Sequence, residues 1–212
     1  FQNSVRTVMK HAAAGSLRGV VGPVSDLVRA EKKYAVAVEI AMGAAMQHIV
    51  VENEGVAKRA IGLLVEAKAG RCTFLPLSTI RGRLLEEKGL EDCSGYLGLA
   101  SQLVRCDDRY RGIVESILGR TAVAEDLDSA TAMARKYGHR FRIVTLDGQV
   151  VNPGGSMTGG YVGKSAGILS RKNEIESLRN EARELTAKGE KLEQELEALR
   201  RETAAMDALV DG

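Results

Sequence analysis

The stretch "GPVSDLVRAEKKYAVAVEIAMG", Gly22 to Gly43, recurs in altered form as "GLASQLVRCDDRYRGIVESILG", Gly98 to Gly119. At a constant offset the two agree at Gly22/Gly98, Ser25/Ser101, Leu27/Leu103, Val28/Val104, Arg29/Arg105, Tyr34/Tyr110, Val38/Val114, Glu39/Glu115 and Gly43/Gly119. A three-residue deletion then sets "IVVEN" (Ile49 to Asn53) on "AVAED" (Ala122 to Asp126), and "RCTFLPL" (Arg71 to Leu77) meets "RFRIVTL" (Arg140 to Leu146). One supersecondary unit is used twice. Each copy reads helix, strand, helix, strand from its apolar periodicity. The predicted elements are Glu31–Gln47, His48–Glu52, Glu54–Ala69 and Cys72–Leu75 in the first copy. They are Asp107–Leu118, Thr121–Glu125, Leu127–Tyr137 and Phe141–Leu146 in the second. Asp147-Gly148 between two apolar runs predicts a hairpin after the last strand. The expected fold class is α/β (α+β), with two pseudo-repeated subdomains.

Outside the duplicated body the pattern changes to heptads. Ile175, Ala182, Gly189, Leu196, Thr203 and Val210 recur every seventh residue, and Leu178, Leu185, Leu192, Leu199 and Met206 follow three residues behind. These are a and d positions of a coiled coil, with Glu, Lys and Arg between them. Such a helix carries a bare apolar stripe and needs a partner. At the other end Phe1, Val5, Val8 and Ala12 share the same spacing, and Gly15 stops the helix. The chain is expected to enter along one helix, form the body and leave along another, so that the two helices make an antiparallel coiled coil. The expected divisions are 1–15 for the incoming helix, 16–77 for subdomain I, 78–95 for a linker, 96–165 for subdomain II and 166–212 for the outgoing helix.

Composition is that of a soluble protein: 44% hydrophobic, 27% charged and no Trp. No apolar run approaches the ~20 residues that span a bilayer, so no membrane partner is expected. Phe1 stands where a start Met would be, which suggests a piece of a longer cytosolic chain. Cys72, Cys93 and Cys106 are odd in number and widely spaced, which argues against a disulfide framework or a zinc site. Charge is uneven: Arg171 to Gly212 holds 8 Lys+Arg against 11 Asp+Glu, while the whole chain is at +2. A mildly basic body is joined to an acidic helix.

Six glycines fall between Gly154 and Gly167. Glycine admits positive φ and close approach, so either a phosphate or a second protein surface is implied. "TGGYVGKS", Thr158 to Ser165, nearly matches a phosphate-binding P-loop, but Thr158 replaces the first glycine. The segment before it reads as a hairpin arm rather than a buried parallel strand. No nucleotide or other cofactor is therefore expected in this stretch. His11, His48 and His139 form no metal or catalytic pattern, and no general acid–base pair can be nominated. No enzyme activity is expected. From Ser129 to Lys172 there are seven basic residues (Arg135, Lys136, Arg140, Arg142, Lys164, Arg171, Lys172) and one acid, Asp147. Arg6, Lys10 and Arg18 stand without an acid near the start. Clustered cations without aromatics suit nonspecific phosphate contact; the alternative is a solvated basic face.

Paired coil ends, the duplicated body, "GAAMQHIVVEN" (Gly43 to Asn53) and "DGQVVNPGGSMTGG" (Asp147 to Gly160) together resemble the hinge domain of structural maintenance of chromosomes (SMC) proteins. The glycine motif G-x6-G-x3-G-G fits Gly148, Gly155, Gly159 and Gly160, and the likeness is greatest to the prokaryotic homodimeric type. The resemblance implies a homodimerisation module at the end of a long coiled-coil arm, with those four glycines at the dimer interface. It implies two interfaces per dimer, closing a small ring, and roles in chromosome condensation and segregation in the cytoplasm, at the nucleoid. It places the ATPase in distant head domains outside this stretch. Weak nonspecific DNA binding near the coil junction is carried over to Lys10, Arg18, Lys164, Arg171 and Lys172. A nucleic-acid-binding module with incidental dimerisation is the rival reading, and a P-loop nucleotide-binding domain the more remote one.

Overall fold

The computed structural model describes residues 2–162 and 167–210, without the side chains of residues 172, 202, 204–205 and 207–210. Its elements follow the duplication. Helix α1 (Asn3–Ala13) is followed in the first copy by β1 (Val20–Pro23), α2 (Val24–Leu27), β2 (Arg29–Ala30), α3 (Ala35–Met42), a 3-10 turn (Gly43–Gln47), β3 (Ile49–Val51), α4 (Glu54–Glu66) and β4 (Phe74–Pro76). The second copy runs β5 (Tyr96–Leu99), β6 (Val104–Arg105), a 3-10 turn (Asp108–Tyr110), α5 (Arg111–Leu118), β7 (Thr121–Ala124), α6 (Leu127–Lys136) and β8 (Arg142–Thr145). Strands β9 (Val150–Val151) and β10 (Met157–Thr158) extend the second copy, and α7 (Ile168–Val210) follows.

The two sheets share one plan. Strand β3 lies antiparallel to β1 and parallel to β4; β7 lies antiparallel to β5 and parallel to β8. Both antiparallel pairs are interrupted by a bulge at the same place, Val20/Gly22 in one and Tyr96/Gly98 in the other. A bulge residue needs unusual backbone angles, and Gly22 and Gly98 supply φ of 151° and 136°. The bulges also explain why β1 and β5 escape a periodicity reading: each is too short and too irregular to alternate. The copies are stitched together by β2 and β6, antiparallel, with Arg29 opposite its own counterpart Arg105. That pairing marks a pseudo-two-fold axis within the chain.

Three apolar clusters result. The central one draws on both copies: Val28, Val38 and Met42 from the first, with Val104, Val114 and Leu118 from the second. A second cluster lies beneath α6 and a third beneath α4. The second copy's cluster includes Leu90, so the stretch expected as a linker is itself anchored. Helix α1 packs on the body. Its Val5 and Val8 are buried against the body with Ile49, Val51, Val56 and Leu64. These side chains join the apolar cluster that α4 and β3 form in subdomain I.

The helix predicted over Glu31–Gln47 is shorter. Tyr34 N–H closes a turn on Glu31 O, and Gly43, at φ 50°, ends α3 before the 3-10 turn. Helices α4 and α6 begin at the matched residues Asn53 and Asp126, whose side chains accept from Val56 N–H at 3.1 Å and Ser129 N–H at 2.8 Å. Such caps satisfy backbone donors that the first turn leaves over.

The contact pattern divides the chain into the body, Phe1–Ser170, and Arg171–Gly212. In the second unit the predicted heptad residues Leu178, Leu185, Leu192 and Leu199 are all about 60% exposed. The stripe is bare among the described residues, as a coiled-coil strand awaiting a partner should be. Arg201 donates to Glu197 Oε1 from Nε at 3.2 Å, an i,i+4 pair on the helix surface.

Candidate dimerisation surface

The predicted Asp147-Gly148 hairpin is present. Thr145 N–H donates to Gln149 O at 2.9 Å and Gly148 N–H to Thr145 O at 3.0 Å, while β8 and β9 pair Val144 with Val150. Gly148 has φ 89°, and a Cβ there would meet Val162, Val36 and Ile40 at 3.2–3.3 Å. It is required by the turn and by packing inside the chain.

A second hairpin follows. Asn152 N–H donates to Ser156 O at 2.8 Å across Pro153, Gly154 and Gly155, which turns β10 back beside β9. Gly154 N–H is held by His139 O at 2.9 Å. Gly155, at φ 92°, lies against the His139 imidazole. Beyond β10, Gln149 clips the chain: its Nε2 donates to Gly160 O at 3.0 Å and its Oε1 accepts from Gly160 N–H at 2.8 Å. The Gln149 carboxamide fills the space a Cβ on Gly159 would occupy, whereas a Cβ on Gly160 would meet nothing. Gly148, Gly159 and Gly160 line one cleft, while Gly148, Gly155 and Gly159 answer to contacts within their own chain.

What the surface offers outward is carried by other residues. Strand β10 is the edge of the five-stranded sheet, and both its residues are exposed. Met157 is 54% exposed and Tyr161 96%. An unpaired edge beside large exposed apolar side chains invites another chain. The cleft behind it, about 240 Å³, lies between Ile40, Arg142, Val150 and the Thr158–Val162 segment. Arg142 is fixed there: it donates to Ala41 O at 3.0 Å and Ile40 O at 3.1 Å, satisfying carbonyls at the end of α3. Burial pushes its pKa down. Tyr161 and Met157 had no signal in the sequence beyond their place beside the glycines. The first copy has its own edge at β4, in the order β1-β3-β4.

Three of the basic residues are tied into the body by contacts of their own. Arg142 caps α3, Arg140 pairs with Glu87 at 2.8 Å, and Lys136 donates to Gly89 O at 3.1 Å. Lys10, in the last turn of α1, and Arg18, in the turn after it, are both exposed. Arg171 is exposed within α7; Lys164 and the side chain of Lys172 lie outside the described residues. The near-match to a P-loop is also outside them at Gly163, Lys164 and Ser165. The strand ahead of it is the antiparallel edge β10, a context unlike the buried parallel strand that phosphate cradling requires. Among the described residues no group of His, Cys, Asp or Glu could hold a metal ion, and no helix is long and apolar enough to cross a membrane.

Residues 17–134 match the family model of the SMC proteins flexible hinge domain. The chain is 46% identical over 180 residues to the chromosome partition protein Smc of Bacillus subtilis, covering 83% of this chain and 15% of that protein. It is 39% identical over 177 residues to the protein of the same name from Methanocaldococcus jannaschii, covering 81% and 15%. It therefore spans about 15% of the length of these curated relatives. The SMC hinge domain of Geobacillus stearothermophilus, crystallised as an asymmetric dimer, superposes with a TM-score of 0.86 at 40% identity, over 96% of this chain and 82% of that one. The Pyrococcus furiosus SMC hinge domain follows at 0.61 and 27%, over 76% and 91%. The chain belongs to the SMC flexible hinge domain family.

Proposed function

We propose that this chain is the homodimerisation hinge of a chromosome-partitioning SMC protein, joining two coiled-coil arms. The observation that carries it is the exposed edge β10 with Met157 and Tyr161 beside it. Opposite the edges β1 and β5, each protomer's two larger sheets end in unequal strands, β10 in the second copy and β4 in the first. Under two-fold symmetry β10 of one chain meets β4 of the other, twice, and the contact closes into a ring that leaves neither edge free. The glycine surface at Gly148, Gly155, Gly159 and Gly160 lets the partner's backbone come close. The bare stripe of α7 pairs with the helix that leads into α1, forming the arm. The ATPase then resides in head domains at the far end of that arm, and the module works in the cytoplasm at the nucleoid.

Light scattering tests this reading on surface variants that spare the glycines' internal contacts. Met157→Asp with Tyr161→Ala should convert a dimer into a monomer at micromolar concentration with unchanged circular dichroism. A double variant that stays dimeric places the interface elsewhere. Weak DNA binding belongs to the same proposal, from Lys10 and Arg18 with Lys164, Arg171 and Lys172. Replacing the five by Glu should weaken binding and flatten its dependence on salt, since fewer counterions are released. Unchanged affinity in that variant would remove these residues from any DNA contact.

A further inference from the structure

The segment between the two copies is strapped to α6 by a cluster of side-chain contacts. Tyr137 OH donates to Lys88 O at 2.9 Å, and Lys136 Nζ donates to Gly89 O at 3.1 Å. Lys136 Nζ also lies 3.4 Å from Cys93 Sγ, and the Tyr137 hydroxyl lies 3.9 Å from the same sulfur. A cleft of about 400 Å³ opens beside them, between Cys93, Ser94, Ser129, Met133 and Lys136. Cys93 is half-buried and lines that cleft. Cys93 Sγ itself donates to Gly89 O at 3.5 Å, and what sets it apart from the other two thiols is the Lys136 ammonium beside it. Cys72 donates to two carbonyls, Gln47 O at 3.8 Å and Thr73 O at 3.5 Å. Burial pushes the thiols of both Cys72 and Cys106 up, away from the reactive thiolate.

We propose that Cys93 and Lys136 form a peroxide-responsive modification site, in which oxidation of the sulfur is captured by the lysine as a covalent S–N link. Toward peroxide the nucleophile is the thiolate. The Cys93 thiolate attacks one oxygen of hydrogen peroxide and the O–O bond breaks. The leaving hydroxide takes a proton from the Lys136 ammonium, giving water, a sulfenic acid and a neutral amine side by side. The amine then attacks the sulfenyl sulfur, its lone pair forming the S–N bond as the S–O bond breaks. The departing hydroxide collects the amine's proton and leaves as water. Sulfur is oxidised, peroxide is reduced, and the chain ends lighter by two hydrogens. Sulfenic acids condense with nitrogen in this way elsewhere. The product fastens the Lys88–Ser94 segment to α6 by a covalent bond where hydrogen bonds held it before, and a thiol reductant reverses it.

The test is peroxide titration of the 212-residue chain, followed by intact mass, dimedone trapping and peptide mapping. Cys93 should react at least about fivefold faster than Cys72 or Cys106. The product should have lost two hydrogens and yield a joined Cys93–Lys136 peptide. Lys136→Arg keeps a cation that cannot condense, so its Cys93 should react fast and stop as a dimedone-trapped sulfenic acid. Lys136→Met should bring Cys93 down to the rate of the other two. Circular dichroism on both variants shows that the fold is intact. Equal rates for the three cysteines in the native chain, or an unchanged rate in Lys136→Met, overturns the site. A native product heavier by oxygen, with the two peptides separate, overturns the capture step.

Discussion

The two halves of the body solve one packing problem with different partners. Glu39 on α3 and Glu115 on α5 are counterparts, and a glycine from the other half's outgoing chain lies against each. Gly82, after β4, sits on Glu115; Gly167, after β10, sits on Glu39. A Cβ on either glycine would run into the carboxylate. Beyond that the halves diverge. Glu39 Oε1 accepts from Leu169 N–H at 2.7 Å and its Oε2 from Ser170 Oγ at 3.3 Å, so it caps the start of α7. Glu115 meets a loop. The first half spends its outer surface on α1, and the second adds β9 and β10 to its sheet. Duplication supplied the core and the crossing, while the extensions made one half an anchor for the arm and the other an open edge.

Substituting matched positions should expose that divergence. The largest difference is expected at Gly119 and Gly43. A Cβ at Gly119 would sit 2.1 Å from Arg83 O, whereas at Gly43 it meets nothing. Gly119→Ala should cost about 3 kcal/mol, since backbone must shift. Gly43→Ala should cost about 1–2 kcal/mol, from its positive φ alone. Urea midpoints decide between them, and equal costs would mean that the linker does not rest on α5.

A smaller gap is expected between the two glutamates. Glu39→Ala removes a charge-assisted acceptor from the first turn of α7 and should cost about 2 kcal/mol. Glu115→Ala should cost less than about 1 kcal/mol, because no backbone donor depends on it in the same way. Loss of helicity at 222 nm should accompany only the first. A Glu115 variant as damaging as the Glu39 variant would show that the halves are anchored alike.

The smallest effect separates the matched caps by pH. The hydrogen bond from Ser129 N–H holds the Asp126 carboxyl below its ordinary value of 3.8. A carboxyl lowered on folding contributes stability above its unfolded pKa and loses it as pH falls through the folded one. The stability of α6 should therefore decline below about pH 4, and Asp126→Asn should remove that slope. Asn53 caps α4 without titrating, so Asn53→Ala should cost about 1 kcal/mol at any pH. An acid slope that persists in Asp126→Asn would assign it to another carboxylate.

Much of this plan was legible from residue order. The repeat from Gly22 to Gly43 and from Gly98 to Gly119 announced the duplication, and Asp147-Gly148 announced the hairpin. Both are local signals carried by neighbouring residues. Strands β2 and β6 were not legible, because two residues each are too few for any periodicity and only their pairing across the chain defines them. The packing of Val5 and Val8 on the body was not legible for a related reason: a heptad stripe states that a face is apolar, not what covers it. At the candidate interface the glycines stood out by spacing. Their attachment to His139 and Gln149 did not, nor did the exposure of Tyr161, because these depend on contacts that no spacing rule encodes.

The account rests on the two sheet edges meeting in the dimer, β10 of one chain against β4 of the other. Hydrogen exchange read by mass spectrometry, above and below the dissociation concentration, tests this most directly. The account predicts that peptides containing Met157–Thr158 and Phe74–Pro76 gain protection together as the dimer forms and lose it together on dilution. Protection of the β10 peptide while β4 exchanges freely, or a dimer that protects neither, would contradict it.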